Sequence, residues 1–234
     1  MSKKFDGIAF DVDGTLYSNH HFYFRIIPFL FQQPRFLMAW GKARNAIRKD
    51  TAKDYKPKIF YEIQASLMAG YLKSDVELVQ KKLDTLIYRG WEEIFGVIPL
   101  FPYVKEVLQE FRRAGFKLGL LSDVPPDRKL RLLGLDGLWD VQLCSELAGG
   151  LKPARAPFLA LAEQMGFPPE RILYVGNSIH YDVIGSKSVG MKAALIAPGI
   201  FHFFRTKGRP GGKREGDADF VFSSYRQLSA YVLN

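Results

Sequence analysis

The sequence predicts an α/β fold, a parallel sheet covered by helices on both faces with a helical insertion placed early in the chain. Three observations carry this. Short apolar runs ending in small or polar residues recur at 8–11, 118–122, 141–145, 172–176, 193–197 and 220–223. Helix-spaced apolar stripes lie between most of them, and strands alternating with helices argue for a parallel sheet. From about 17 to 100 the alternation stops and the pattern is helical throughout.

The first strand, 8–11, runs into Phe10-Asp11-Val12-Asp13-Gly14-Thr15-Leu16. On an extended strand, positions i and i+2 face the same side, so Asp11 and Asp13 can address one substrate. Gly14 lets the backbone turn and bring its N–H groups to an anion. One carboxylate is suited to attack and the other to move protons. A bare D-x-D also occurs in solvated loops. The apolar strand before it, the Gly-Thr after it and partners downstream favour catalysis.

Next comes the insertion. Phe60, Ile63, Leu67 and Tyr71 form one helical stripe, and Val79, Leu83, Leu86 and Ile87 another. They predict a cap over the strand ends, spanning 18–99, with the core formed by 1–17 and 100–234. Pro99 and Pro102 mark the return. The apolar window 22–40 is broken by Arg25, Pro28, Pro34 and Arg35, which makes it a poor membrane span. Its aromatics and arginines suit a membrane surface, but packing against the rest of the protein is the expected reading. Arg25, Arg35, Lys42, Arg44 and Arg48 are expected to form a mostly solvated face, one or two of them reaching a leaving group. His20 and His21 are expected at the hinge or the surface.

Back in the core, Val104, Leu108 and Phe111 repeat at helix spacing, as do Phe158, Leu161, Ala162 and Met165. The second strand ends in Ser122-Asp123, a hydroxyl suited to a phosphate oxygen followed by an acid expected to line the site. Cys144 sits in an apolar run and is read as a core thiol. Gly149-Gly150-Leu151-Lys152-Pro153 places a cation by a Gly-Pro loop. Gly176-Asn177-Ser178-Ile179-His180-Tyr181-Asp182 is a strand end entering a helix with an acid in its first turn, His180 being read as a surface residue. In sheets of this kind ligands gather at the carboxyl ends of the strands, where Asp11, Ser122 and Asn177 fall. Residues 206–216 read as a mobile basic loop.

At 234 residues, 47% hydrophobic and 24% charged, the chain has the composition of an ordinary globular protein. A single cysteine excludes an internal disulfide and fits a reducing compartment. With no secretory signal visible, the cytoplasm is expected. The net charge of +9 favours anionic partners, its excess lying at 25–58 and 205–214. There is no zinc-finger spacing, no aromatic RNA-binding signature and no helix-turn-helix, so nucleic acid is not expected. A small phosphorylated substrate explains the charge more simply.

Taken together, Asp11-Val12-Asp13-Gly14-Thr15, Ser122, Lys152 and the segment from Gly176 to Asp182 resemble the motifs of the haloacid dehalogenase-like hydrolase superfamily, specifically its phosphatases with a helical cap. The resemblance covers essentially the whole chain and implies a Rossmann-like core. It implies that Asp11 is the nucleophile that forms an aspartyl-phosphate, and that Asp13 protonates the leaving group and then activates water. Ser122 and Lys152 would hold phosphoryl oxygens, with Gly14, Thr15 and Asp123 around them. Mg²⁺ would be held by the Asp11 carboxylate, the Asp13 carbonyl, Asn177 and Asp182. Carbon–halogen dehalogenases lack the second acid, because halide leaves without a proton, so Asp13 points to phosphate esters. Asn177 stands where the family commonly has Asp, which removes one negative charge. Two alternatives stay open, a phosphosugar mutase and a binding or regulatory protein with a weakened metal site.

Overall fold

The computed structural model describes residues 4–49, 57–90, 92–197 and 218–234. Six parallel strands form one sheet: β1 (Gly7–Phe10), β2 (Lys117–Ser122), β3 (Val141–Cys144), β4 (Ile172–Gly176), β5 (Lys192–Ile196) and β6 (Phe220–Phe222), in the order β3-β2-β1-β4-β5-β6. β1 is central, Gly7 pairing with Lys117 on one side and Ile172 on the other. Alternate side chains serve opposite faces, as strand geometry requires. Ile8, Phe10, Leu173 and Val175 join one core, while Ala9, Ile172 and Tyr174 join the other.

Helices α1 (Asn19–Gln32), α2 (Pro34–Lys49), α3 (Pro57–Leu72), α4 (Val76–Lys82) and α5 (Glu92–Phe95) lie between β1 and β2, and a π-helical segment, Leu83–Tyr88, continues α4. Tyr17 marks where the chain leaves and returns, bridging Asp13 and Leu100, and Phe101 N–H donates to the Leu16 carbonyl at 2.9 Å. The inserted helices have a small core of their own, built from Phe36, Ala39 and Ala43 of α2, Ala65, Met68 and Ala69 of α3, and Val79, Leu83 and Ile87. After it come α6 (Val104–Arg113) and α7 (Asp127–Leu132), then α8 (Arg155–Met165), α9 (Gly185–Ser188) and α10 (Tyr225–Leu233).

Two expectations about the insertion change. The buried side of α3 is Phe60, Gln64, Ala65, Met68 and Ala69, while Tyr71 is 48% exposed. Small alanines let α3 approach α2 closely, and Gln64 is buried because Arg44 and Tyr88 satisfy its amide. Arg44 is no solvated cation either, being 5% exposed. Arg25, Arg35 and Lys42 are exposed, as are His20, His21 and His180. Cys144 is buried, and burial, with Glu146 nearby, raises its thiol well above the usual range. No helix among the described residues is long and apolar enough to cross a membrane. The segment 206–216 lies outside the described residues.

Candidate active site

β1 ends at Phe10, but Asp11 keeps one more sheet bond, its N–H donating to the Val175 carbonyl at 2.9 Å. The carboxylate is thereby fixed at the carboxyl edge of the central strand, 5% exposed. Its Oδ1 accepts from Lys152 Nζ at 2.6 Å and its Oδ2 from Thr15 Oγ1 at 2.7 Å. Burial, more than any neighbouring charge, pushes the Asp11 carboxyl up, to about 7. Lys152 opposes that rise, while Asp182 and Asp13 add to it.

Lys152 reaches Asp11 from the loop after β3, and its Nζ also donates to Asp182 Oδ1 at 2.8 Å and to the Tyr174 hydroxyl at 3.4 Å. Burial by itself would lower this ammonium; Asp11 and Asp182 outweigh it and hold it well above the ordinary lysine range. Asp182 lies in a π-helical turn, Ile179–Ile184, where the Val183 N–H reaches back five residues to the Ser178 carbonyl. Such turns often mark functional positions. Here the turn brings Asp182 over the end of β4, and a Cβ on Gly176 would sit 2.3 Å from the Asp182 Cβ. Asp182 Oδ2 takes the Asn177 and Ser178 N–H groups at 3.1 and 2.9 Å.

Asp13 is held differently. Both of its oxygens accept from Lys129 Nζ, at 2.7 and 2.8 Å, and Oδ1 also accepts the Tyr17 hydroxyl. Burial and then Asp13 raise the Tyr17 phenol well above its usual range, which keeps it a donor. Gly14 has φ +83°, and a Cβ there would fall 2.0 Å from Asn177 Nδ2, so a larger residue would strain the backbone and displace Asn177.

These groups border a cavity of about 700 Å³. Asp11, Asp13, Lys152, Asn177, Asp182 and Asp123 line its core side, while Phe22, Ile26, Trp40, Arg44 and Arg48 contribute from the insertion. Ser122 is fully buried and does not border the cavity; its Oγ accepts the Val124 N–H at 3.4 Å. Thr15 is likewise behind Asp11 rather than on the wall. Asp123 is on the wall but is not placed as a phosphate donor. Its Oδ1 takes Ser145 Oγ at 2.6 Å and the Lys152 N–H at 3.3 Å, and its Oδ2 takes Arg48 at 2.7 Å. Burial would raise this carboxyl, but Lys152, Arg44 and Arg48 together hold it well below the usual carboxylate range. An anion so held clamps the insertion to the core.

Sequence reasoning missed Lys129, Tyr17 and the Arg44–Glu146 pair. Arg44 forms a buried ion pair with Glu146, whose other oxygen accepts the Tyr88 hydroxyl at 3.0 Å. The partners are 116 and 102 residues apart in the lysine and arginine pairs, so no local pattern announces them.

Whether the wall suits a divalent ion can be read from its donors. Asp11 and Asp182 offer carboxylate oxygens and Asn177 an amide oxygen, donors of the hard type Mg²⁺ prefers. Each Asp11 oxygen, and Asp182 Oδ1, accepts a single hydrogen bond and retains a lone pair. The set therefore fits, with an amide in place of a third carboxylate. Among the described residues no three His, Cys, Asp or Glu side chains converge as a ready-made metal cage.

The chain belongs to the haloacid dehalogenase-like hydrolases, whose sequence model matches residues 5–190. It is 25% identical to the phosphoglycolate phosphatase of Haemophilus influenzae over 97% of this chain and 98% of that one. Among solved structures, the HAD phosphatase from Thermococcus onnurineus superposes with a TM-score of 0.60 at 23% identity, covering 97% of both chains. The L-2-haloacid dehalogenase from Xanthobacter autotrophicus gives 0.63 at 18%, covering 98% and 99%. These two structures share the fold; the choice between their chemistries falls to the site.

Proposed function

We propose that the protein is a Mg²⁺-dependent phosphomonoester hydrolase acting on a small phosphorylated metabolite through an aspartyl-phosphate on Asp11. One observation carries this reading: Asp11 and Asp13 open on the same cavity, with the Lys152 ammonium 2.6 Å from Asp11. A halide needs no proton to depart, whereas an alkoxide does, and Asp13 supplies the second acid. The phosphatase-named relative from Haemophilus influenzae supports the same choice.

In the first step an Asp11 oxygen attacks phosphorus, the ester P–O bond breaks, and Asp13 gives its proton to the departing oxygen. In the second step water attacks the acyl phosphate, Asp13 takes its proton, and phosphate leaves with Asp11 restored. Lys152 offsets the like-charge repulsion between Asp11 and the phosphate dianion. Thr15 holds the other Asp11 oxygen, and Lys129 with Tyr17 hold Asp13. A Mg²⁺ ion on Asp11, Asp182, Asn177 and the Asp13 carbonyl would supply further neutralisation of phosphoryl charge. The inserted helices act as the cap that excludes water and selects the alcohol.

The test is phosphate release from a panel of phosphorylated metabolites with Mg²⁺. Asp11→Asn is expected to lower kcat at least ~10⁴-fold and to abolish the phosphoenzyme, because the nucleophile itself is gone. Full turnover in that variant would remove Asp11 from the role, and isomerised product without free phosphate would indicate a mutase. Asn177→Asp is expected to restore a carboxylate and tighten Mg²⁺ binding, read as a lower half-saturating concentration than in the wild type. Equal values would dismiss the amide as a weak ligand.

A further inference from the structure

α1 leaves several large apolar side chains in solvent. Ile26 is buried, yet Phe24 is 76% and Phe31 82% exposed, with Ile27 at 41% between them. Spacings of three and four put Phe24, Ile27, Pro28 and Phe31 on one face of the helix. His20 and His21 precede this stripe and Arg35 follows it, all exposed. From Asn19 to Lys49 the hairpin of α1 and α2 contains no Asp or Glu. It holds six Lys and Arg residues, of which Arg44 and Arg48 are neutralised by Glu146 and Asp123. Arg25, Arg35, Lys42 and Lys49 remain exposed.

We propose that this hairpin seats the protein on an anionic lipid bilayer, Phe24, Ile27 and Phe31 entering the boundary between headgroups and acyl chains. A stripe of large apolar side chains flanked by cations, in a segment too short and too interrupted to span, is the arrangement that lies in a membrane interface. Charge decides the occupant. A second copy of this chain would set one acid-free basic hairpin against another, whereas phosphatidylglycerol or phosphatidylserine headgroups complement it. The net charge of +9 acts in the same direction.

The test is co-sedimentation of the full chain with vesicles of phosphatidylcholine alone and of phosphatidylcholine mixed with phosphatidylglycerol. Binding is expected only to the mixed vesicles, falling as salt is raised. Phe24→Ser and Phe31→Ser are each expected to weaken it about tenfold, and Arg35→Gln to weaken it less. Hydrolysis of a soluble phosphate ester in the absence of vesicles should be unchanged in all three, since none of these residues borders the cavity. Absence of wild-type binding to the mixed vesicles would overturn the proposal. So would serine variants that bind as well as the wild type, or self-association that Phe31→Ser abolishes without any lipid effect.

Discussion

Asp11 is asked to be both buried and ionised, and its surroundings show how the conflict is managed. Burial raises its carboxyl to about 7 from an unfolded value near 3.8. A raised carboxyl holds its proton more tightly when folded, so its contribution to stability is present below the unfolded value and lost as pH rises through about 7. In metal-free buffer, Asp11→Asn is therefore expected to gain stability relative to the wild type between pH about 4 and about 7, by at most about 4 kcal/mol. Urea denaturation of both proteins across that range measures it, and parallel curves would show the carboxyl to be unshifted. Asp13 depends on Lys129 instead. Under the proposed mechanism, Lys129→Met is expected to lower kcat about 10²-fold by freeing the Asp13 carboxylate, with Lys129→Arg recovering part of it in the same steady-state assay. The D-x-D-G-T segment, Lys152 and Asp182 were legible because each stands beside a strand end or glycine that marks it. Lys129 was not, since nothing near Asp127-Arg128-Lys129 in sequence reveals a carboxylate across the cavity.

Between elements, the joints that matter are ionic. Arg44 on α2 meets Glu146 after β3, and Asp123 after β2 meets both Arg44 and Arg48. Removing one member of the Arg44–Glu146 pair leaves a charge buried without its partner. Arg44→Met is expected to cost about 3–5 kcal/mol, with a fall in Tm on the order of 10 °C. Calorimetry checks it, and Arg44→Met combined with Glu146→Leu should recover much of the loss. Asp123 adds to this joint, and being held low it keeps its contribution above the ordinary carboxylate range and loses it as acid is added below. The strands were readable to within a residue or two, because both faces of a covered parallel sheet demand uninterrupted apolar side chains. The face of α3 was harder to read. Its contact with α2 uses Ala65 and Ala69, and Gln64 hides a buried position behind a polar name.

Across the whole molecule, the charge that suggested phosphorylated ligands is distributed between two tasks. Lys152 and Lys129 face acids inside the cavity, while Arg25, Arg35, Lys42 and Lys49 point their charge outward from the insertion. The order β3-β2-β1-β4-β5-β6 has its own consequence. β1, which leads into Asp11, comes first of the six strands in chain order, yet one of its two neighbours starts only at Ile172. During synthesis β1 must wait through the whole insertion and three further helices before its hydrogen bonds are complete. Closing so distant a contact is slow and leaves an apolar edge open meanwhile. A nascent chain stalled upstream of β4 would thus carry every residue of the D-x-D-G-T segment and still be unable to hold it in place.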